Sequence, residues 1–150
     1  MYYTIGEMAR LMNVQPSTLR YYDKEGMLPF VERSESGIRL FKESDFIWLA
    51  TIECLKKTGM PLTEIKKYIF LGMQGDSSID ERLQLIRQRQ EAVRQQMQEL
   101  AACMDILNYK EWYYLKAQEC GSTEVPRNMP PEQVPESVRQ GVCRLRKLID

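Results

Sequence analysis

The chain has 150 residues, 21 Lys and Arg against 21 Asp and Glu, four cysteines and no histidine. That length suits one ordinary domain, or a small head joined to an extended oligomerisation element. Without histidine there is no imidazole acid/base chemistry, no Ser-His or Cys-His nucleophile and no zinc site that needs imidazole; balanced charge gives no bulk argument for nucleic acid.

Thr4-Ile5-Gly6-Glu7 has the Thr-x-x-Glu spacing of a capping box, in which side chain and backbone at the two ends satisfy each other. Ile5, Met8, Ala9 and Met12 then recur at helical spacing, predicting a short helix with one apolar face. Met12-Asn13-Val14 reads as a tight turn, with Asn13 able to take a left-handed conformation. A second helix opens at Gln15-Pro16, where proline costs no intrahelical bond, and Gly26 closes it as a left-handed cap. Two helices so joined form a helix-turn-helix. The second carries Ser17, Thr18, Arg20, Tyr21 and Tyr22, donors suited to phosphates and base edges, while Leu19 faces inward.

Phe30–Arg33 and Ile38–Phe41 read as two extended stretches around Ser34-Glu35-Ser36-Gly37, a hairpin signal. A hairpin here is a wing, and it brings Arg33 and Arg39 beside the second helix. Ser44 is expected to cap a third helix running to about Thr58, ended by Gly59. A fourth begins near Thr63 and ends around Gly72–Gly75.

From Ser78 the pattern changes. Ser78-Ile79-Asp80-Glu81 repeats the capping-box spacing, and no Gly or Pro follows until Gly121. Alternating steps of four and three from Ile79 reach Leu83, Ile86, Gln90, Val93, Met97, Leu100, Met104, Leu107, Glu111 and Tyr114. Only Gln90 and Glu111 break an otherwise apolar series, which predicts a coiled coil. About forty residues of helix span roughly 60 Å, more than a small head can cover, so the helix needs a partner. Residues 121–135, with Pro126, Pro130, Pro131 and Pro135, read as a loop or linker. A short amphipathic helix from about Glu136 to Ile149, with Val138, Val142, Leu145 and Leu148, is expected to pack back onto the dimer.

The expected fold is therefore mainly α: a winged helix-turn-helix head with a small β-hairpin wing over 1–75, a long dimerisation helix over 76–120, and a linker with a short C-terminal helix over 121–150. Residues 1–42 hold six Lys/Arg against five acids, so a DNA-binding head must place its few cations well and gain affinity as a dimer. No apolar run approaches the ~20 residues of a membrane span, and Met1-Tyr2-Tyr3-Thr4 lacks signal-peptide features; the expectation is a cytoplasmic protein. Cys54, Cys103, Cys120 and Cys143 are widely separated, so no disulfide framework is expected. No cofactor or metal is expected, and no paired carboxylates, phosphate loop or nucleophile–base arrangement suggests an enzyme.

Three stretches in this order, TIGEMARLMNVQPSTLRYYDKEGML, SGIRLF and IECLKKTGMPLTEIKKY, resemble the MerR family of bacterial transcriptional regulators. They cover roughly the first seventy residues, and the long helix fits the family's dimerisation helix by position. The resemblance implies a winged-helix homodimer with antiparallel long helices, acting on double-stranded promoter DNA together with RNA polymerase. Such dimers distort an overlong promoter spacer so that its two elements align, contact energy offsetting the deformation. By position Ser17, Thr18, Arg20, Tyr21 and Tyr22 fall on the family's recognition helix, with Arg39 in its wing; Thr4 and Arg33 are further expected DNA contacts. One of the two tyrosines is expected to pack under the wing and the other to face DNA. Phe41 stands where many members carry tyrosine, which removes a hydroxyl contact.

The cysteine spacing matches neither the metal-sensing nor the iron–sulfur branch, and the residues after Gly121 are too few for the large multidrug-ligand domain. Cys54, in IECLKK, falls where a thiol- or aldehyde-responsive branch carries its sensing cysteine, and Lys57 shares its helix face. Two readings of Cys54 stay open, an electrophile- or redox-modified switch and a small packed hydrophobe. Cys103 and Cys143 are expected to be packed, and Cys120 exposed. Two rivals remain: the same scaffold answering a noncovalent ligand near Trp112, Tyr113 and Tyr114, and a coiled-coil module whose head binds protein. The inducer, the operator and the sign of regulation are not written in the sequence.

Overall fold

The structure is a computed structural model describing residues 1–148. Its elements run β1 (Tyr2–Tyr3), α1 (Ile5–Leu11), α2 (Pro16–Lys24), β2 (Glu32–Arg33), β3 (Arg39–Lys42), α3 (Asp45–Lys57), α4 (Leu62–Met73), α5 (Ile79–Cys120), α6 (Glu124–Arg127) and α7 (Glu136–Arg146). Single 3-10 turns lie at Gly75–Ser78 and Pro131–Gln133. The chain divides into two compact units, Met1–Gln90 and Glu91–Asp150, so the first turns of α5 belong with the head.

In the first unit the local signals act as expected. The Glu7 amide donates to Thr4 Oγ1 (3.3 Å) and the Thr4 amide to Glu7 Oε2 (2.7 Å), a complete capping box. Those bonds, the Thr4 amide's first, hold the Glu7 carboxyl below the usual carboxylate range. Asn13 turns the chain at φ 54°, and Gly26 closes α2 at φ 73°, where a Cβ would be strained. The core gathers Met8, Ala9, Leu19, Tyr22, Met27, Leu28, Phe41, Leu49, Ile52, Leu55, Met60, Ile65 and Ile69. At full burial each large apolar side chain contributes on the order of 1.5–3 kcal/mol.

The wing hairpin pairs β2 with β3 in the register Arg33↔Arg39. A third strand escaped the sequence reading: β1 pairs antiparallel with β3, Tyr2 against Lys42. Two residues leave no alternation to detect, and the partner lies forty positions away. Side chains lock the three strands together, for Glu32 accepts from the Tyr2 hydroxyl (2.9 Å) and pairs with Lys42. The expected strand start at Phe30 and Val31 is not a strand. Phe30 instead stacks on Trp48, ring centroids 5.9 Å apart, and Trp48 in turn lies 6.2 Å from Tyr68. Phe41 is fully buried, so its ring belongs to the core rather than to a ligand-facing surface.

Two expected caps are absent. Ser44 makes no side-chain cap bond at the start of α3; the buried Asp45 carboxylate instead accepts from the Lys42 amide at 2.8 Å. Ser78 does not form a capping box. Its buried hydroxyl turns back to the carbonyls of Leu71 and Gly75, closing the 3-10 turn, because that turn brings those carbonyls within reach first. Arg89, on the first turns of α5, donates to Thr58 Oγ1 at 2.8 Å and to the Thr58 carbonyl.

α5 is one uninterrupted helix of 42 residues. Most of the apolar series read from the sequence stands exposed in the single chain, including Met97 at 65%, Leu100 at 67%, Leu107 at 59% and Tyr114 at 60%. In the second unit the expected linker contains α6 and a 3-10 turn, with Pro126 and Val134 buried. Proline suits both, as the first turn of a helix needs no amide from it. α7 packs on α5 at Gly141, and Arg144 Nε donates to Asp105 Oδ2 at 2.7 Å. Leu148 is exposed rather than packed, and Ile149, the last apolar residue expected of this helix, lies outside the described residues.

Candidate nucleic-acid interface

The helix-turn-helix presents one polar face of α2. Ser17, Arg20, Tyr21 and Lys24 stand at i, i+3, i+4 and i+7, and all four are exposed. Thr18 is half-buried at the edge of that face, and Thr4 is exposed at the N-terminus of α1, its polar atoms engaged by Glu7. Lys24 was passed over in the sequence reading, although its spacing of four from Arg20 puts it on the same face.

Tyr22 does not belong to this face. Tyr21 is 47% exposed, whereas Tyr22 is fully buried against α3. The Tyr22 hydroxyl donates to Glu53 and accepts from Lys56, whose ammonium lies 4.7 Å from the ring centroid. Burial, with the Glu53 carboxylate second, pushes the Tyr22 phenol far above its ordinary value. The expected division of roles between the two tyrosines is therefore seen, but the buried one lies against α3 rather than under the wing. The end of α2 and its C-cap Glu25 reach three other elements: Tyr22 to α3, Asp23 to the wing, and Glu25 to Lys66 on α4 at 2.9 Å.

Beside α2 stand the wing arginines. Arg33 Nη2 reaches Asp23 Oδ2 at 2.7 Å, and Arg39 reaches the same oxygen through Nε at 2.8 Å and also through Nη2. α2 and the wing hairpin together carry Arg20, Lys24, Arg33, Arg39 and Lys42 against Asp23, Glu32 and Glu35, with Asp23 held by the two wing arginines and Glu32 by Lys42. Cations presented along one helix and its neighbouring hairpin suit phosphate.

Cys54 is exposed on α3, next to Glu53 and two residues before Lys56, the pair that grips Tyr22. The expectation that Cys103 and Cys143 are packed is not met, since both are exposed in the single chain, as is Cys120. On α7 it is Gly141 that is buried against α5, while Cys143 is exposed. Of the aromatic group proposed as a ligand lining, Trp112 stacks on Tyr109 (5.8 Å), the Tyr113 hydroxyl donates to the Thr123 carbonyl (3.0 Å), and Tyr114 is exposed.

The geometry agrees with known proteins. Residues 3–69 match the family described as MerR HTH family regulatory protein, and residues 47–109 match that described as MerR, DNA binding. An uncharacterized HTH-type transcriptional regulator of Haemophilus influenzae is 42% identical over 137 residues, covering 91% of this chain and 99% of the relative. Among solved structures, HiNmlR, a MerR family regulator lacking the sensor domain and crystallised bound to promoter DNA, superposes with a TM-score of 0.77 at 42% identity. That match spans 87% of this chain and 98% of HiNmlR. A MerR family regulator from Bacillus thuringiensis follows at 43% identity and TM-score 0.68, over 73% of this chain and 96% of its own. With a near-full-length relative and two overlapping family matches that run from the winged head through most of α5, this chain belongs to the MerR family of DNA-binding helix-turn-helix transcriptional regulators.

Proposed function

We propose that the protein acts as a homodimer on double-stranded promoter DNA, reading it with the exposed face of α2 and with the wing. The observation that carries this reading is the placement of Arg20 and Lys24 on the exposed face of α2, and of Arg33 and Arg39 beside it, while the opposite face of that helix is buried. The apolar series left exposed along α5 supports pairing of two copies through that helix, since a stripe of Met and Leu is costly to leave in water. Two heads on a shared coiled coil can contact successive grooves, and the contact energy can offset distortion of the intervening duplex for RNA polymerase. The promoter-bound state of HiNmlR is in keeping with this. Action on a promoter is in keeping with a cytoplasmic protein, and among the described residues no helix is long and apolar enough to cross a membrane.

Thr4, Ser17, Thr18, Arg20, Tyr21, Arg33 and Arg39 are the proposed contacts, with Lys24 added from its position on the face. Arg20→Ala and Arg39→Ala each weaken binding to a duplex selected by the protein from a random pool, with the dimer unchanged in sedimentation. Unchanged affinity in both overturns the assignment of this face.

A second reading concerns the signal. The exposure of Cys54 favours a reactive thiol over a packed hydrophobe. Electrophilic modification there would act on the helix that holds Tyr22, and so on the seating of α2.

A further inference from the structure

Asp23 is an acid on α2 where that helix meets the wing, within the region proposed to face DNA. On charge alone it weakens DNA binding, because a carboxylate beside the duplex repels the phosphates. Its geometry argues for another role. The side chain is 15% exposed, and one oxygen, Oδ2, takes Nη2 of Arg33 together with Nε and Nη2 of Arg39. Arg33 and Arg39 are themselves register partners across the hairpin, so a single atom of α2 ties both wing strands to the helix.

Arg39 meets Asp23 with one edge of its planar fork. A guanidinium has five N–H groups, and the Nε–Nη2 edge uses two of them, leaving the two Nη1 hydrogens and the second Nη2 hydrogen on the far side. A free arginine must give up rotamer freedom to present that edge, whereas one already held has given it up on folding. The Arg39 side chain is 26% exposed, against 51% for Arg33, so Arg39 is the more firmly held of the two.

We propose that Asp23 is a positioning residue for DNA recognition. It orients the Arg39 guanidinium, and more loosely that of Arg33, so that the outer edge meets a backbone phosphate, and it fixes the wing in one register against α2. The inference rests on the DNA-facing reading of α2 and the wing. It makes a prediction opposite in sign to simple electrostatics. Removing the carboxylate raises the positive charge of the surface, which strengthens binding to any DNA, yet releases the arginines, which weakens binding to the correct DNA.

The experiment uses the full-length dimer and two duplexes of equal length, one selected by the wild-type protein from a random pool and one scrambled. Fluorescence anisotropy at several salt concentrations gives Kd for each. Asp23→Asn is expected to weaken the selected duplex about tenfold, the scale of one charge-assisted bond, while the scrambled duplex binds equally or more tightly. Asp23→Glu recovers part of the loss, and in an Arg39→Ala background Asp23→Asn costs little more, since the residue it positions is gone. If Asp23→Asn proves poorly folded by circular dichroism, Arg39→Lys serves instead. It keeps the charge, lacks the fork, and is expected to show the same selective loss. Selected-duplex binding by the folded variant, Asp23→Asn or Arg39→Lys, at or above wild-type strength overturns the proposal, as do effects of Asp23→Asn and Arg39→Ala that simply multiply. Arg20→Ala separates the two levels: if it leaves selected binding intact, the reading of α2 fails, and if it abolishes binding while Asp23→Asn does not, only the role of Asp23 falls.

Discussion

The hydroxyl of Tyr22 on α2 donates to the carboxylate of Glu53 on α3, joining the helix proposed to read DNA to the helix that carries Cys54. The same oxygen accepts from Lys56, so a neutral phenol sits between a carboxylate and an ammonium. Tyr22→Phe keeps the ring and removes that shared oxygen, leaving two charged groups without their common partner. The expected cost is roughly 1–3 kcal/mol of stability, read from urea denaturation. Equal midpoints for mutant and wild type show that the hydroxyl contributes nothing.

The same contact sets an alkaline limit. The phenol titrates far higher in the folded head than in the unfolded chain, so the folded state holds that proton more tightly. The stability this contributes is complete below the unfolded tyrosine value of about 10 and is lost as pH rises above it. Phenolate absorbance should therefore show one of the eight tyrosines silent until the protein unfolds. In Tyr22→Phe that silent fraction disappears; its persistence assigns it to another ring.

Cys54→Ser tests the signal. DNA affinity stays within about twofold of wild type, since the residue is exposed and a Ser-for-Cys change on a surface is usually within ±0.5 kcal/mol. The transcriptional response to short aldehydes is lost. A mutant that still responds removes Cys54 as the sensor and turns attention to the exposed Cys103, Cys120 and Cys143.

Gly141 is where α7 touches α5. A Cβ there would lie 2.1 Å from the Asp105 carbonyl oxygen and 2.6 Å from Tyr109 Cβ, both on a helix that cannot give way locally. Gly141→Ala should lift α7 at a cost of about 1–3 kcal/mol and weaken the Arg144–Asp105 pair. Trypsin then cuts faster at Arg139 and Arg144, while the melting of the head is unchanged. An unaltered cleavage rate means that α7 is held elsewhere.

Leu100→Glu and Leu107→Glu place charges in the exposed apolar series of α5. Sedimentation at micromolar concentration is expected to shift from dimer to single chain, with operator affinity falling in parallel. A dimer unaffected by both puts the interface elsewhere.

Much of this molecule is legible along the chain because its signals are short-ranged. The Thr4–Glu7 box, the left-handed Asn13 and the Gly26 cap each depend on residues within four positions, and periodicity marks the inward and outward faces of α2 and the stripe on α5. Spacing sets Tyr22 with inward Leu19 at i+3 and Tyr21 with outward Ser17 at i+4, but it does not say what grips the Tyr22 hydroxyl, and it leaves Arg33 and Arg39 as free cations. Their partner Asp23 lies ten and sixteen residues away, Glu53 lies thirty-one from Tyr22, and Asp105 thirty-nine from Arg144. Local chemistry thus specified the helices, the turn and the family, because backbone hydrogen bonding and amphipathic spacing act between near neighbours. Which charges pair, what grips the buried Tyr22 hydroxyl and where α7 docks followed from folding, because a hydrogen bond between distant residues exists only once the elements bearing them have packed.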